Sequence, residues 1–292
     1  MASEARTATD RPAVPPFVFE YSSVGGPELG QGIHERESHL RLNSADQSAF
    51  LEKHRSDSDA PGEAIGTFRA RLPADAFARV RNLVTTTQLA QLKAPNRGGP
   101  GSSLITLRYE EGDTKIEKSF TSFDTGLIAQ VQGLISEIVQ ILVVLNRSPE
   151  RALQITVAQS PSAPSFSFVA TNIGTTEVCL TDPRSLPTGN IDVYAGIRWA
   201  EYPTERPGVT APPLQWTFLG LARPEHVANS ESPIVLKPGD AFTIPTEPWK
   251  NPSPGRRFLV QGRFSDYGGP TEVRDCYRIR GAVFSKIVEV TK

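Results

Sequence analysis

The residue types that most often do chemistry are few in this chain and widely spaced. Its four histidines are His34, His39, His54 and His226. His34 and His39 are five residues apart, which places them on opposite faces of a strand and does not form the i,i+4 pair of a helix. The spacing therefore predicts solvated loop or strand-edge histidines and no metal site.

The two cysteines, Cys179 and Cys276, lie on either side of Trp199 in the sequence. Apolar residues alternate with each cysteine along its predicted strand, so both sulfurs should point away from the core. We expect two thiols that do not bond to each other, and a lowered thiol pKa where Cys276 lies among arginines. A β-bulge near Asp275 would reverse the second assignment.

The remaining motifs give no catalytic or cofactor site. The Gly-rich run 96–103 has a helix before it, a strand after it and no Lys, so it does not fit a phosphate-binding loop. A Gly-x-Ser-x-Gly elbow is missing from the sequence. Solvated faces account for the acidic pairs Glu35/Glu37 and Glu110/Glu111. We predict no catalytic residue, cofactor or metal, and whether the protein is an enzyme stays open.

A long Pro-rich loop and several arginines are the candidate partner-binding features. The loop runs from Glu201 to Pro213 and carries Tyr202 and Arg206. Long ordered loops often carry function, although an edge crossing between two sheets explains the segment equally well. A basic stripe across the late strands would recognise a carboxylate or phosphate, with exposed strand faces as the alternative. It consists of Arg256, Arg257 and Arg263 with the arginines beside Cys276, which are Arg274, Arg278 and Arg280. Of these, the partner-binding candidates are Arg256, Arg257, Arg263 and Arg278.

The elements that position these residues change in character halfway along the chain. Residues 1–16 are polar and Pro-rich and predict a disordered tail. Residues 17–148 alternate as short strands, interrupted by a helix after Pro73 and a long apolar helix from Gly126 to Leu145. This is an α+β pattern, an antiparallel sheet covered by two helices. Residues 149–292 show only short strands between turn residues, which predicts a β-sandwich.

The second half resembles a known class of domains. The segment 166–174 (FSFVATNIG) and the later turns Leu236–Asp240 and Pro254–Val260 resemble the strand and Pro-Gly turn pattern of bacterial immunoglobulin-like domains. Bacterial intracellular proteinase inhibitors of the BsuPI kind share this outline. The resemblance covers about residues 152–292 and implies an immunoglobulin-like sandwich, while the first half resembles no family.

Composition limits the classes of partner and compartment. The 292 residues carry a formal net charge of -1, so no global field attracts nucleic acid or an anionic membrane. Gln130, Gln132, Ser136, Glu137 and Gln140 interrupt the most apolar stretch, which predicts a buried helix and no membrane span. Two cysteines and no visible export segment predict a soluble cytoplasmic protein, with an exported mature form as the alternative.

These observations favour a non-enzymatic interaction protein whose sandwich loops contact a macromolecular partner, most simply a protein. Two alternatives stay open at this point. One is an enzyme with its site in a cleft between the two domains. The other is a structural subunit that self-associates as a homo-oligomer.

Overall fold

The fold is described from a computed structural model of the chain. The structure describes residues 15–24, 36–56, 62–93, 103–121, 124–159, 166–180, 195–202, 215–219, 233–244, 246, 255–264, 272–273 and 276–290. The predicted tail, apart from Pro15 and Pro16, and the Gly-rich run, apart from Ser103, lie outside these residues, as do His34 and His226.

Strands and helices alternate in the first half, whereas the second half contains strands alone among the described residues. The first half contains β1 (Phe17–Val24), β2 (Arg36–Asn43), β3 (Ser48–Lys53), β4 (Ile65–Arg71), α1 (Ala74–Thr86), a short 3-10 turn (Leu89–Gln91), β5 (Leu104–Glu111), β6 (Thr114–Thr121), α2 (Thr125–Gln130) and α3 (Gln132–Leu145). The second half contains β7 (Pro149–Gln159), β8 (Phe166–Asn172), β9 (Val178–Leu180), β10 (Ala195–Glu201), β11 (Thr217–Leu219), β12 (Ile234–Leu236), β13 (Ala241–Ile244), β14 (Arg257–Phe264), β15 (Glu272–Val273), β16 (Cys276–Arg278), β17 (Ala282–Phe284) and β18 (Val288–Glu289).

Nine strands form one antiparallel sheet in the order β13-β8-β7-β4-β3-β2-β1-β5-β6. In the first half the apolar residues fall opposite one another across the strands, as where Phe19 lies between Leu42 and Tyr109. This register places every second residue of each strand on the same face. One face is therefore apolar and the other polar.

Helices α1 and α3 cover the apolar face. Phe77 and Val80 of α1 and Leu134 and Ile138 of α3 are buried in one core with the strand residues. The structure thus confirms a sheet-rich α+β fold, in which these helices cover the first half of the sheet. The single helix expected from Gly126 to Leu145 is wrong in one respect, because it is interrupted at Val131, where the backbone (φ -99°, ψ 11°) leaves the helical region.

A second core lies on the opposite face of the same sheet. Ile65 of β4, Leu153 and Ile155 of β7 and Phe168 of β8 pack there against strands of two smaller sheets. Those sheets have the orders β11-β10-β14-β17, with β18 also paired to β14, and β12-β9-β16-β15. The nine-stranded sheet therefore crosses the predicted boundary near residue 149, because β7 pairs with β4 of the first half. The immunoglobulin-like topology stays a prediction.

The segment after β3 attaches the first half to the last strands. The Ala282 amide donates to the carbonyl of His54 (2.9 Å), and the Phe284 amide donates to the Ser56 hydroxyl (2.7 Å). Gly281 has φ +115°, and an added Cβ would lie 1.7 Å from the His54 carbonyl oxygen. Only glycine fits a position with that dihedral and that close an approach.

The cysteine prediction is wrong, because Cys179 and Cys276 form a disulfide with their Cα atoms 5.9 Å apart. Strands β9 and β16 are parallel neighbours in one sheet, with Arg278 opposite Cys179. Neither cysteine belongs to the apolar core beside the sheet, in agreement with the alternation. Both are nevertheless buried, and all three residues of β9, the strand of Cys179, are buried. The bond therefore joins neighbouring strands on a face that the sequence pattern marked as outer.

No helix in the described part of the chain is long and apolar enough to cross a membrane.

Candidate functional site

Three of the six predicted partner-binding residues lie together at the base of the Pro-rich loop. The Tyr202 amide donates to the Arg257 carbonyl (2.8 Å), and the Arg257 guanidinium lies over the Tyr202 ring at 5.3 Å. Arg256 forms an ion pair with Glu201, and both side chains are more than half exposed, at 64% and 55%. We call Glu201, Tyr202, Arg256 and Arg257 the loop-base cluster.

The pairing of β10 with β14 fixes this cluster in place. Glu201 is the last residue of β10 and lies opposite Phe258 near the start of β14. Phe258 is buried in the second core, and it therefore holds the adjoining backbone of Arg256 and Arg257 in place. The cluster therefore presents an aromatic ring and two guanidiniums from a fixed frame.

The other predicted residues are not brought to this place. Arg206 and most of the Pro-rich loop lie outside the described residues, as does the side chain of Arg263. Arg263 occupies the far end of β14, six residues from Arg257, and a strand of that length spans about 20 Å. Arg278 lies on β16, in the other small sheet. Of the predicted partner-binding residues whose side chains the structure describes, three therefore lie in the loop-base cluster and Arg278 lies apart from them.

The polar face of the large sheet carries side chains in rows across its strands. In one row, Glu20 lies between Arg41 (3.8 Å) and Arg108 (3.9 Å), and Arg108 also pairs with Glu117 (2.9 Å). These opposite charges neutralise one another on a solvated surface, where such pairs contribute little stability. The neighbouring row consists of Ser119, Thr106, Ser22, His39, Glu52, Thr67 and Arg151.

That second row ends where the last strands contact the sheet. The Tyr277 hydroxyl donates to Glu52 (3.2 Å), and His54 Nε2 lies 3.4 Å from the same carboxylate oxygen. The Arg151 guanidinium lies over the Tyr277 ring at 5.1 Å. We call Glu52, His54, Arg151, Tyr277 and the nearby Arg280 the junction cluster, because its members come from both halves of the chain.

The electrostatics of the junction cluster keep Glu52 charged and Tyr277 protonated. The hydrogen bond from His54 lowers the pKa of the Glu52 carboxyl against the opposing effect of burial, and Tyr277 and His39 lower it further. Burial, with the negative charge of Glu52, raises the pKa of the Tyr277 hydroxyl. Arg151 and Arg280 act in the opposite direction on Tyr277. Arg280 is tied to this place through its backbone, because the next residue, Gly281, lies against the His54 carbonyl.

Arg280 differs from the other members because two of its donor atoms have no acceptor among the described residues. Its Nε and Nη2 atoms are buried, and within the described part of the chain neither has a hydrogen-bond acceptor. These two nitrogens form one edge of the guanidinium, the edge that binds the two oxygens of a carboxylate side by side. The residue as a whole keeps partial exposure.

The expectation of solvated histidines is wrong for the two that the structure describes. His39 lies within β2 and is 16% exposed, and His54 follows β3 and is 20% exposed. His54 is partly covered because the segment that carries it pairs with Ala282 of β17, and His39 lies between Ser22 and Glu52 on the neighbouring strands. Among the described residues, no group of three or more His, Cys, Asp or Glu side chains could hold a metal ion.

The acidic pair in the β5–β6 hairpin divides between the two faces of the sheet. Glu110 is exposed beside Lys115 (3.5 Å), as a solvated face requires. Glu111 instead accepts a hydrogen bond from the Tyr109 hydroxyl and lies 2.9 Å from Arg81 of α1. Burial and this carboxylate raise the pKa of Tyr109 to about 12. Glu111 therefore joins the sheet to the helix layer.

The sequence did not reveal the junction cluster, because Glu52 and Tyr277 are 225 residues apart. One local signal was available, since Glu52 and His54 share a face of a strand at a spacing of two. Nothing in the sequence identified β16 as the element that covers that face.

No protein-family model matches the chain, and no curated protein matches its sequence.

Proposed function

We propose that the protein is a non-enzymatic interaction protein that contacts a protein partner through the loop-base cluster. The observation that carries the proposal is the half-buried Tyr202–Arg257 stack with the exposed Arg256 beside it. Tyrosine and arginine are the residue types most enriched among those that dominate binding energy at protein interfaces. An aromatic ring held by a guanidinium loses little conformational entropy on binding.

The charges of the cluster favour a partner with acidic groups. Arg256 and Arg257 outnumber Glu201, so the cluster has a formal charge of +1 (two positive, one negative). The chain as a whole is close to neutral, with a net charge of -1. Complementary charge at the contact, without a global field, favours specific protein contacts over general attraction to nucleic acid.

The rival function, an enzyme acting between the two halves, is disfavoured by the junction cluster. A general acid or base works best with a pKa near the operating pH. The lowered pKa of Glu52 and the raised pKa of Tyr277 move both groups away from neutrality. The pair therefore suits a structural hydrogen bond better than proton transfer.

An immunoglobulin-like arrangement of the second half would suit this function, because such domains present loops from the ends of their strands. The proposed contact lies at such an end, where β10 leaves the sheet. The disulfide between Cys179 and Cys276 favours an oxidising compartment, so we propose that the protein works as an exported form and not in the cytoplasm.

A photo-crosslinking experiment tests the proposed surface. A photoreactive amino acid replaces Tyr202 in one variant and Thr114, at the exposed β5–β6 hairpin, in the matched control. Both variants are illuminated in extract from the source cells. We expect a discrete adduct from position 202 that the added Arg256→Glu change removes, and no such adduct from position 114. Equal adducts at the two positions, or persistence after Arg256→Glu, would show that the cluster is not the contact.

One observation favours self-association as a second candidate function. Val139, Val143 and Val144 of α3 are 45–47% exposed, and no charged residue lies among them. Valine is a weak helix former, so helix stability does not explain its presence at exposed positions. An uncharged face also avoids like-charge contacts between identical copies across a two-fold axis. Light scattering should then give a dimer mass that Val143→Lys reduces to that of a monomer; a monomer mass for the unaltered chain excludes this candidate.

A further inference from the structure

We propose that Arg280 is the centre of an anion site that binds the carboxylate group of an organic acid at the junction of the two halves. This site is separate from the loop-base cluster and does not depend on the function proposed for it. The proposal rests on the two buried donors of Arg280, on the rigidity of its backbone and on the charge around it.

The donors of Arg280 form the first part of the argument. Buried charges in proteins are normally paired, because an unpaired one loses its hydration without compensation. Nε and Nη2 of Arg280 are both buried and both without an acceptor in the described residues. Together they present two parallel N–H groups, whose geometry matches the two oxygens of a carboxylate.

The backbone around Arg280 is fixed on both sides. Gly281 exchanges two hydrogen bonds with Phe264, at 2.7 and 3.2 Å, and its Cα lies against the carbonyl of His54. Ile279, on the other side, donates to the Cys179 carbonyl (2.9 Å) and is buried in the second core. A guanidinium on so rigid a segment is preorganised, which reduces the entropy lost on binding a ligand.

The local charge selects the kind of anion. Arg151 and Arg280 contribute two positive charges and Glu52 one negative charge, which leaves a formal +1. One carboxylate balances that charge, whereas a doubly charged phosphate would leave an excess of negative charge beside Glu52. The other members of the junction cluster are His54, which pairs with Glu52, and Tyr277, whose ring lies under Arg151.

Titration calorimetry on the full chain tests the site with acetate, succinate, inorganic phosphate and a short neutral peptide with a free α-carboxylate. The peptide amide and sodium chloride at equal ionic strength are the blanks. We expect a carboxylate to bind. Tighter binding of acetate or succinate would identify the ligand as a small organic acid, and tighter binding of the peptide would identify it as a peptide C-terminus. Arg280→Met should weaken that binding at least tenfold, and Arg280→Lys, which keeps the charge but loses the paired donors, should weaken it less. Arg79→Met, on the helix layer, is the matched control and should bind as the unaltered chain does.

The thermal midpoint supplies a second readout that does not depend on affinity. Without added anion, Arg280→Met removes a guanidinium whose two buried nitrogens have no acceptor among the described residues, so we expect its midpoint to rise by about 2–4 °C. Carboxylate should raise the midpoint of the unaltered chain and leave that of Arg280→Met unchanged. The proposal is overturned if no carboxylate binds, if phosphate or the peptide amide binds as tightly, if Arg280→Met binds as the unaltered chain does, or if that variant melts at a lower temperature.

Discussion

At the scale of single residues, the junction cluster shows how a carboxylate is kept ionised between two halves of a chain. Glu52 is 25% exposed and receives hydrogen bonds from His54, two residues along the chain, and from Tyr277, 225 residues away. Hydrogen bonds to a charged group contribute more stability than those between neutral groups. Glu52 therefore links the large sheet to β16 by charge as well as by contact.

Glu52→Gln tests this linkage. At neutral pH we expect a loss of roughly 1–3 kcal/mol in the free energy of unfolding, because the amide cannot accept charge-assisted hydrogen bonds. The folded pKa of Glu52 is lowered, so the carboxylate stabilises the fold above its unfolded pKa of about 4.3 and the effect is lost as pH falls through the folded value. Urea unfolding of both proteins between neutral and acidic pH should show the difference shrinking.

The matched control for that experiment is Glu117→Gln. Glu117 also pairs with an arginine, Arg108, but it is 57% exposed on the solvated face. We expect a change of at most about 1 kcal/mol at any pH. Equal losses for the two variants would contradict the special position of Glu52.

At the scale of elements, β16 is a strand of three residues that must be held in place by its neighbours. The disulfide attaches it to β9, and the hydrogen bond of Tyr277 attaches it to β3. Because Cys276 and Tyr277 are adjacent, the covalent bond fixes the position of the tyrosine that reaches Glu52.

Cys276→Ser should therefore destabilise the whole fold. The bond closes a loop with a sequence separation of 97 residues, and removing a disulfide of that span costs about 2–5 kcal/mol. Chemical unfolding under non-reducing conditions measures the loss. Thiol titration of the denatured, unreduced protein should find no free thiol, whereas two free thiols would contradict the bond.

Helix α3 carries the other element-scale prediction. Leu134 is fully buried against the sheet, so Leu134→Asp places an unpaired charge in the first core and should unfold it. The control Val143→Asp lies on the exposed side of the same helix and should change stability by less than about 1 kcal/mol. A melting temperature of Leu134→Asp within a degree or two of the unaltered chain would refute the packing.

At the scale of the whole molecule, one sheet serves both cores. Strand β4 contributes Phe68 to the first core and Ile65 to the second, on opposite faces. The predicted domains 17–148 and 149–292 therefore share the pairing between β4 and β7. A cut at residue 149 would expose the edge of the sheet on both sides.

We accordingly expect the two halves to unfold together. Two spectroscopic signals report on the two halves separately. Tryptophan fluorescence reports on the second half, because Trp199, Trp216 and Trp249 all follow residue 149. The helical circular dichroism signal reports on the first half, because α1 to α3 precede that residue. Tryptophan fluorescence and far-UV circular dichroism at the helical band should give coincident urea transitions. Two separated transitions would show that the halves are independent domains.

Local patterns in the sequence were enough to predict the strands, the helices and the facing of their side chains, because alternation and helical spacing depend on near neighbours. Alternation did not reveal that Cys179 is buried and disulfide-bonded, because a strand that is covered on both faces has no exposed side. Local patterns also did not reveal the partner of Glu52. That contact depends on how distant strands pack, which local periodicity does not encode. The sequence identified Tyr202, Arg256 and Arg257 as candidate binding residues from their types. It did not show that they lie together, because only the pairing of β10 with β14 brings them into contact.

The most direct test of the proposed function is the affinity of the cross-linked partner, once identified, for defined variants of the chain. Tyr202→Ala and Arg257→Ala should each weaken binding at least about tenfold, equivalent to about 1.4 kcal/mol, if they are central contacts. Lys115→Ala, an exposed residue of the β5–β6 hairpin, should bind as the unaltered chain does. Unchanged dissociation constants for Tyr202→Ala and Arg257→Ala would contradict the proposal that the loop-base cluster is the binding surface.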